Sequence, residues 1–103
     1  MWIIVYHDFP THYKVGRHNS ATFVKELEQL GFQYLYRNIH IRYCDNLEKY
    51  DVYKKRVMNI KFEKSDVCIL YVTDIQFEKI YHYHKRRKSK IIEIGKPLLI
   101  EFF

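Results

Sequence analysis

The chain opens on a continuous apolar run, Trp2-Ile3-Ile4-Val5-Tyr6, rich in β-branched residues. A run without polar alternation predicts a strand buried on both faces. His7, Asp8, Phe9 and Pro10 end it, because Pro10 offers no N–H to a ladder and biases Phe9 away from helix. Asp8 therefore falls at the C-terminal end of the first strand. From Asn19 or Ser20 the spacing becomes helical. Phe23, Leu27 and Leu30, with Val24 beside them, form a stripe, and Gly31 is the expected left-handed stop. Over 32–44 the period changes to two, with Ile39, Ile41 and Tyr43 on one face and His40 and Arg42 on the other. Polar Arg37-Asn38 marks a kink or a very tight hairpin in that segment.

Asp45 and Asn46 offer caps for a second helix, and Glu48 completes a capping-box-like Asp-x-x-Glu. Leu47, Tyr50, Val57 and Ile60 sit on or near one face, and Lys49, Lys54, Lys55 and Arg56 decorate the rest. Ser65-Asp66 closes the connection, and 67–72 reads as a strand nearly as apolar on both faces as the first. Thr73 or Asp74 caps a short helical turn containing Phe77 and Ile80. Residues 80–84 read as a short strand, and 98–103 as a last one after the Gly95-Lys96-Pro97 turn.

This order predicts an α+β fold. With 32–44 as two strands it is a ferredoxin-like βαββαβ sandwich with an extra C-terminal strand. Residues 1–84 form the core domain, and 85–103 a basic arm and strand for dimer or partner docking. Two helices cover one face of such a sheet, yet two of its strands are apolar on both. The second face needs a cover, and a second copy of the sheet supplies one, giving a twofold dimer. Leu98, Leu99, Ile100, Phe102 and Phe103 form an apolar strand suited to a neighbour's sheet edge.

Composition narrows the function. At 103 residues the chain holds one domain and one modest core. Eighteen Lys and Arg against 12 Asp and Glu give +6. Five of those cations, Lys85, Arg86, Arg87, Lys88 and Lys90, fall within six positions. The rest of the chain carries 13 basic and 12 acidic residues, so the excess is a local arm suited to a polyanion. Ten Tyr, seven Phe and one Trp supply large core side chains and, at the surface, stacking platforms. Cys44 and Cys68 make no disulfide framework and read as small buried hydrophobes in a cytoplasmic protein. No apolar run approaches the ~18–20 residues that span a bilayer, so no membrane partner is expected. The six histidines form no compact zinc pattern with the cysteines. His82-Tyr83-His84 would place two imidazoles on one face of a strand, the arrangement of a metal-ligating pair in single-strand nicking enzymes.

Four segments carry a resemblance. They are Asp8-Phe9-Pro10 at the end of the first strand, FVKELEQLGF (23–32), YLYRNIHIRYC (34–44) and VCILYVTDIQFEKI (67–80), whose V-T-D-x-Q-F-E-K core is the most specific. Together they resemble the CRISPR-associated protein 2 family, the small subunit of the spacer-acquisition machinery, over residues 1–84. His7 stands where many members have Tyr or Phe. The resemblance implies a ferredoxin-like homodimer that bridges dimers of the integrase subunit, CRISPR-associated protein 1. It also implies that the complex holds a short duplex protospacer and inserts it into the repeat array. Some members are metal-dependent ribonucleases or double-strand DNA nucleases, which makes a Mg²⁺-dependent endonuclease the alternative activity.

Asp8 is the candidate catalytic and metal residue. One carboxylate is a poor Mg²⁺ site, but two copies facing a dimer axis would supply a pair. The competing role is an Asx turn that caps the next loop. Lys14, Arg17, Arg37 and Arg42 are the candidate phosphate contacts of the core, and Lys85, Arg86, Arg87, Lys88 and Lys90 those of the arm. Phosphate contacts carry no sequence information, as a protein accepting any captured duplex requires.

Overall fold

The computed structural model describes residues 1–10, 12, 14–60 and 65–80, and the backbone of 89–91 and 100–102. The elements are β1 (Trp2–Asp8), α1 (Lys14–Gln29), β2 (Gln33–Tyr36), β3 (Ile39–Tyr43), α2 (Leu47–Met58), β4 (Asp66–Val72), α3 (Asp74–Glu78), β5 (Ser89–Ile91) and β6 (Ile100–Phe102). The first four strands form one sheet in the order β2-β3-β1-β4, antiparallel throughout. Between β1 and β2 the chain crosses over by α1 and leaves a gap that β3 fills, which is the ferredoxin-like split βαβ arrangement.

The polar pair Arg37-Asn38 is a hairpin turn and not a kink. Asn38 takes φ 63°, a left-handed conformation that asparagine tolerates, and β2 and β3 pair across it. The second helix starts on Asn46, whose side chain accepts from the Lys49 backbone N–H at 2.9 Å. That bond makes Asn46 the cap, so the Asp45–Glu48 box is not the device used. Thr73 caps α3 in a full capping box with Gln76.

The first helix departs from expectation, because α1 begins at Lys14, five residues before the earliest expected cap. Its first turn carries no apolar stripe. Gly16 anchors it instead, since a Cβ there would overlap the carbonyl of Pro10. Beyond Ile80 the expected 80–84 strand lies outside the described residues. β6 pairs with β5 of the same chain in a separate two-stranded sheet, so the C-terminal strand finds its first partner intramolecularly. The expected boundary between core and arm, at 84 and 85, also lies outside the described residues.

The core has two parts. On the helix side of the sheet, Ile3 and Val5 of β1 pack with Phe9, Phe23, Leu27, Phe32, Cys44, Tyr50 and Val57. On the outer side, Trp2 and Ile41 pack with Phe77 of α3, and Ile4, Leu35, Ile39, Tyr43 and Val72 surround them. The Trp2 and Phe77 rings stack at 4.2 Å between centroids. The chain thus covers part of its second face itself. Among the described residues the rest stays open, and β4 is an edge strand with Val67, Leu70 and Tyr71 exposed. Cys44 is buried as expected, but Cys68 is exposed, because β4 has a neighbour on one side only.

Candidate functional site

The end of the sheet where β1 stops gathers most of the charged candidates of the core. Along β1, alternation places Trp2, Ile4, Tyr6 and Asp8 on the outer face and Ile3, Val5 and His7 on the helix face. Asp8 is exposed and lies directly opposite Asp66 in the antiparallel β1–β4 register. Cross-strand partners on one face hold their Cβ atoms about 4.5–5.5 Å apart, so a single chain presents two neighbouring carboxylates. Asp66 was legible in sequence only as the end of a connection, since a register between strands 58 residues apart leaves no local signal.

The hairpin turn reaches the same end, because the His7 backbone N–H donates to the Asn38 carbonyl at 2.9 Å. Arg37 of that turn is exposed beside it. Lys14 and Arg17 sit exposed on the first turn of α1, which follows β1 by five residues. Asp8, Lys14, Arg17 and Arg37 therefore share one end of the domain. Arg42 does not join them. It lies on the helix side opposite Ile3, with Nη2 donating to the Tyr53 hydroxyl at 2.7 Å and Nη1 to the Gly31 carbonyl at 3.3 Å. Lys85, Arg86, Arg87, Lys88, Leu98, Leu99, Phe103, His82 and His84 lie outside the described residues. For Lys90, Ile100 and Phe102 the backbone alone is described.

Next to Asp8 but facing the helices, His7 and His40 form a buried pair. Each is 3% exposed, and His7 Nε2 meets His40 Nδ1 at 3.0 Å. Burial, reinforced by His40 and partly offset by Asp8, pushes the His7 pKa down to about 4. Burial also lowers His40, with Glu28 acting in the opposite sense. Both rings are neutral at pH 7, and one donates to the other. The Phe9 and Phe23 rings pack against His7, so it is a packed residue of the core and not a ligand at the surface.

A hard cation suits the Asp8–Asp66 pair in kind, since Mg²⁺ takes oxygen ligands, but not in number. Two carboxylates leave most of an octahedron to water or to a second copy. Among the described residues there is no group of three or more His, Cys, Asp or Glu side chains placed to hold a metal. No described helix is long and apolar enough to cross a membrane.

Comparison with known proteins gives one consistent result. No protein-family model matches the chain. It is 31% identical over 97 residues to the CRISPR-associated endoribonuclease Cas2 of Flavobacterium psychrophilum, covering 94% of this chain and 82% of that protein. A second Cas2 endoribonuclease, from Parvibaculum lavamentivorans, is 31% identical over 89 residues, covering 86% of this chain and 88% of that protein. Among solved structures, Streptococcus pyogenes Cas2 superposes with a TM-score of 0.63 at 14% identity, over 82% of this chain and 100% of that one. The structural match supports the ferredoxin-like fold. The chain belongs to the CRISPR-associated Cas2 family.

Proposed function

We propose that this protein is the dimeric adaptor of a CRISPR spacer-acquisition complex, holding duplex protospacer DNA by its phosphates and bridging dimers of the CRISPR-associated protein 1 integrase. The observation that carries this reading is that Lys14, Arg17 and Arg37 are exposed at one end of a domain whose outer face the described residues leave half open. Three exposed cations at one end of a protomer become six in a twofold dimer, a track for two phosphate backbones. Tyr6 and Leu70, exposed on that face, supply apolar contact for the second copy. The arm cations Lys85 to Lys88 and Lys90 extend the track, and the C-terminal residues 98–103 serve the partner.

Integration of a labelled short duplex into a repeat-bearing plasmid tests it, using the integrase encoded beside this chain. Omission of this protein should abolish integration, and Asp8→Ala should leave it in place. Integration without this protein would refute the adaptor role.

A second reading is favoured by two observations, the Asp8–Asp66 register and the endoribonuclease names of the relatives. In that reading Asp8 and Asp66 would hold Mg²⁺, with water or a second copy completing its shell, and the ion would supply water activation and charge neutralisation at the scissile phosphate. It requires cleavage of RNA or DNA that depends on Mg²⁺ and vanishes in Asp8→Ala. Cleavage that survives the substitution excludes Asp8 as its centre.

A further inference from the structure

A cavity of about 410 Å³ opens between the β2–β3 ladder and α2, away from the Asp8 end, with Gly31, Arg42, Asp45, Lys49 and Tyr53 in its wall. Arg42 is its fixed part. Besides its bonds to the Tyr53 hydroxyl and the Gly31 carbonyl, its guanidinium carbon lies 4.1 Å from the Tyr53 ring centroid. The Arg56 guanidinium lies over the same ring at 5.2 Å. Two cations therefore share one phenol, and Lys49 sits one helical turn before it.

The local sequence builds this arrangement. Gly31 takes φ 88°, and a Cβ there would overlap Arg42 Nη1, so glycine is what lets the guanidinium pass beneath the helix end. On α2, 100° per residue puts Lys49, Tyr53 and Arg56 on one side and the acids Glu48 and Asp51 on the other. None of Arg42, Lys49 and Arg56 forms an ion pair with a described residue, and Asp45 neutralises neither cation beside it. Arg42 Nε is buried with no acceptor among the described residues. Of five guanidinium donors two are committed and Nε is buried, which leaves one N–H on each of Nη1 and Nη2. Arg42 and Lys49 in the cavity wall, with Asp45 its one carboxylate and Arg56 over the Tyr53 ring at its side, leave a net positive hollow whose chemistry suits a tetrahedral oxyanion.

We propose that Arg42, Lys49 and Arg56, gathered around Tyr53, form a phosphate-binding site on the helix side of the protein. It rests on the DNA-binding reading only for where the phosphate comes from, a nucleic-acid backbone or a soluble phosphate compound. Tyr53 gives no base-stacking platform here, because guanidinium groups occupy its ring.

The test has two arms. Backbone amide spectra of the intact protein are titrated with inorganic phosphate, against chloride at matched ionic strength. Wild type is compared with Lys49→Gln/Arg56→Gln, both on the outer side of α2, where the fold tolerates change. Phosphate should shift the amides of Gly31, Lys49 and Tyr53, and the double variant should bind about tenfold more weakly or worse. Absence of those shifts in the wild type, or identical shifts in the variant, overturns the site. The second arm reads the salt dependence of duplex binding. A slope smaller by about 1 for each lost contact assigns the phosphate to nucleic acid. An unchanged slope with the shifts intact assigns it to a soluble ligand. A failed integration assay leaves the shifts in place, so this inference and the adaptor reading fail separately.

Discussion

The outer face of the sheet has two unlike halves. Around Trp2, which is 1% exposed, Phe77 stacks on the indole and Val72, Tyr43 and Ile4 close the ring. Two register steps further along the same strand, Tyr6 is 41% exposed, Leu70 opposite Ile4 is 42% exposed, and Asp8 and Asp66 carry charge. The strands are the same; the difference is α3, one short helix that the Thr73 box fixes over one end. Where α3 reaches, a strand apolar on both faces is satisfied within the chain. Where it does not reach, apolar and acidic side chains remain exposed together.

The strongest way to break this contrast is to remove the cover. Phe77→Ala deletes the ring that stacks on Trp2 and should cost about 3–5 kcal/mol in chemical denaturation. A loss below about 1 kcal/mol would mean that α3 is not what buries Trp2. On the opposite side of the sheet the sensitive point is the His7–His40 pair. The folded pKa of each is depressed, so its stabilising contribution is complete above the unfolded value near 6.5 and fades as the pH falls toward about 4 for His7. Stability should drop across that window by as much as about 1.4 kcal/mol per pH unit for His7, with His40 acting in the same direction, and a His7→Phe/His40→Phe variant should show a flatter profile. Gly31→Ala should cost about 1–3 kcal/mol, from the positive φ and the overlap with Arg42. Tyr6→Ala on the open half should change monomer stability by no more than about 0.5 kcal/mol, measured at a concentration where only monomer is present.

What was legible in sequence followed local rules. The apolar run 2–6, the stripe of Phe23 and Leu27, the caps at Asn46 and Thr73 and the turn at Arg37-Asn38 are each set by neighbours a few residues away. What escaped depends on contacts between distant segments. The early start of α1 rests on Gly16 meeting Pro10, in a turn of polar residues without a stripe. The Asp8–Asp66 pair and the His7–His40 bond exist only once the strand register is known. Arg37 and Arg42 flank one strand segment in sequence; the hairpin places them at different ends, and Tyr53 and Gly31 hold Arg42 against α2. The exposure of β4 contradicts its apolar sequence for the same reason that makes it informative: the described residues leave that edge and that half-face uncovered.

The open half of the outer face is the proposed seat of a second copy. Sedimentation of the wild-type protein and of Tyr6→Glu/Leu70→Glu, at equal concentration and neutral pH, tests it most directly. The account predicts a wild-type dimer and a folded monomeric variant, with far-ultraviolet circular dichroism unchanged. A variant that sediments as the same dimer would contradict it and move the interface elsewhere on the protein.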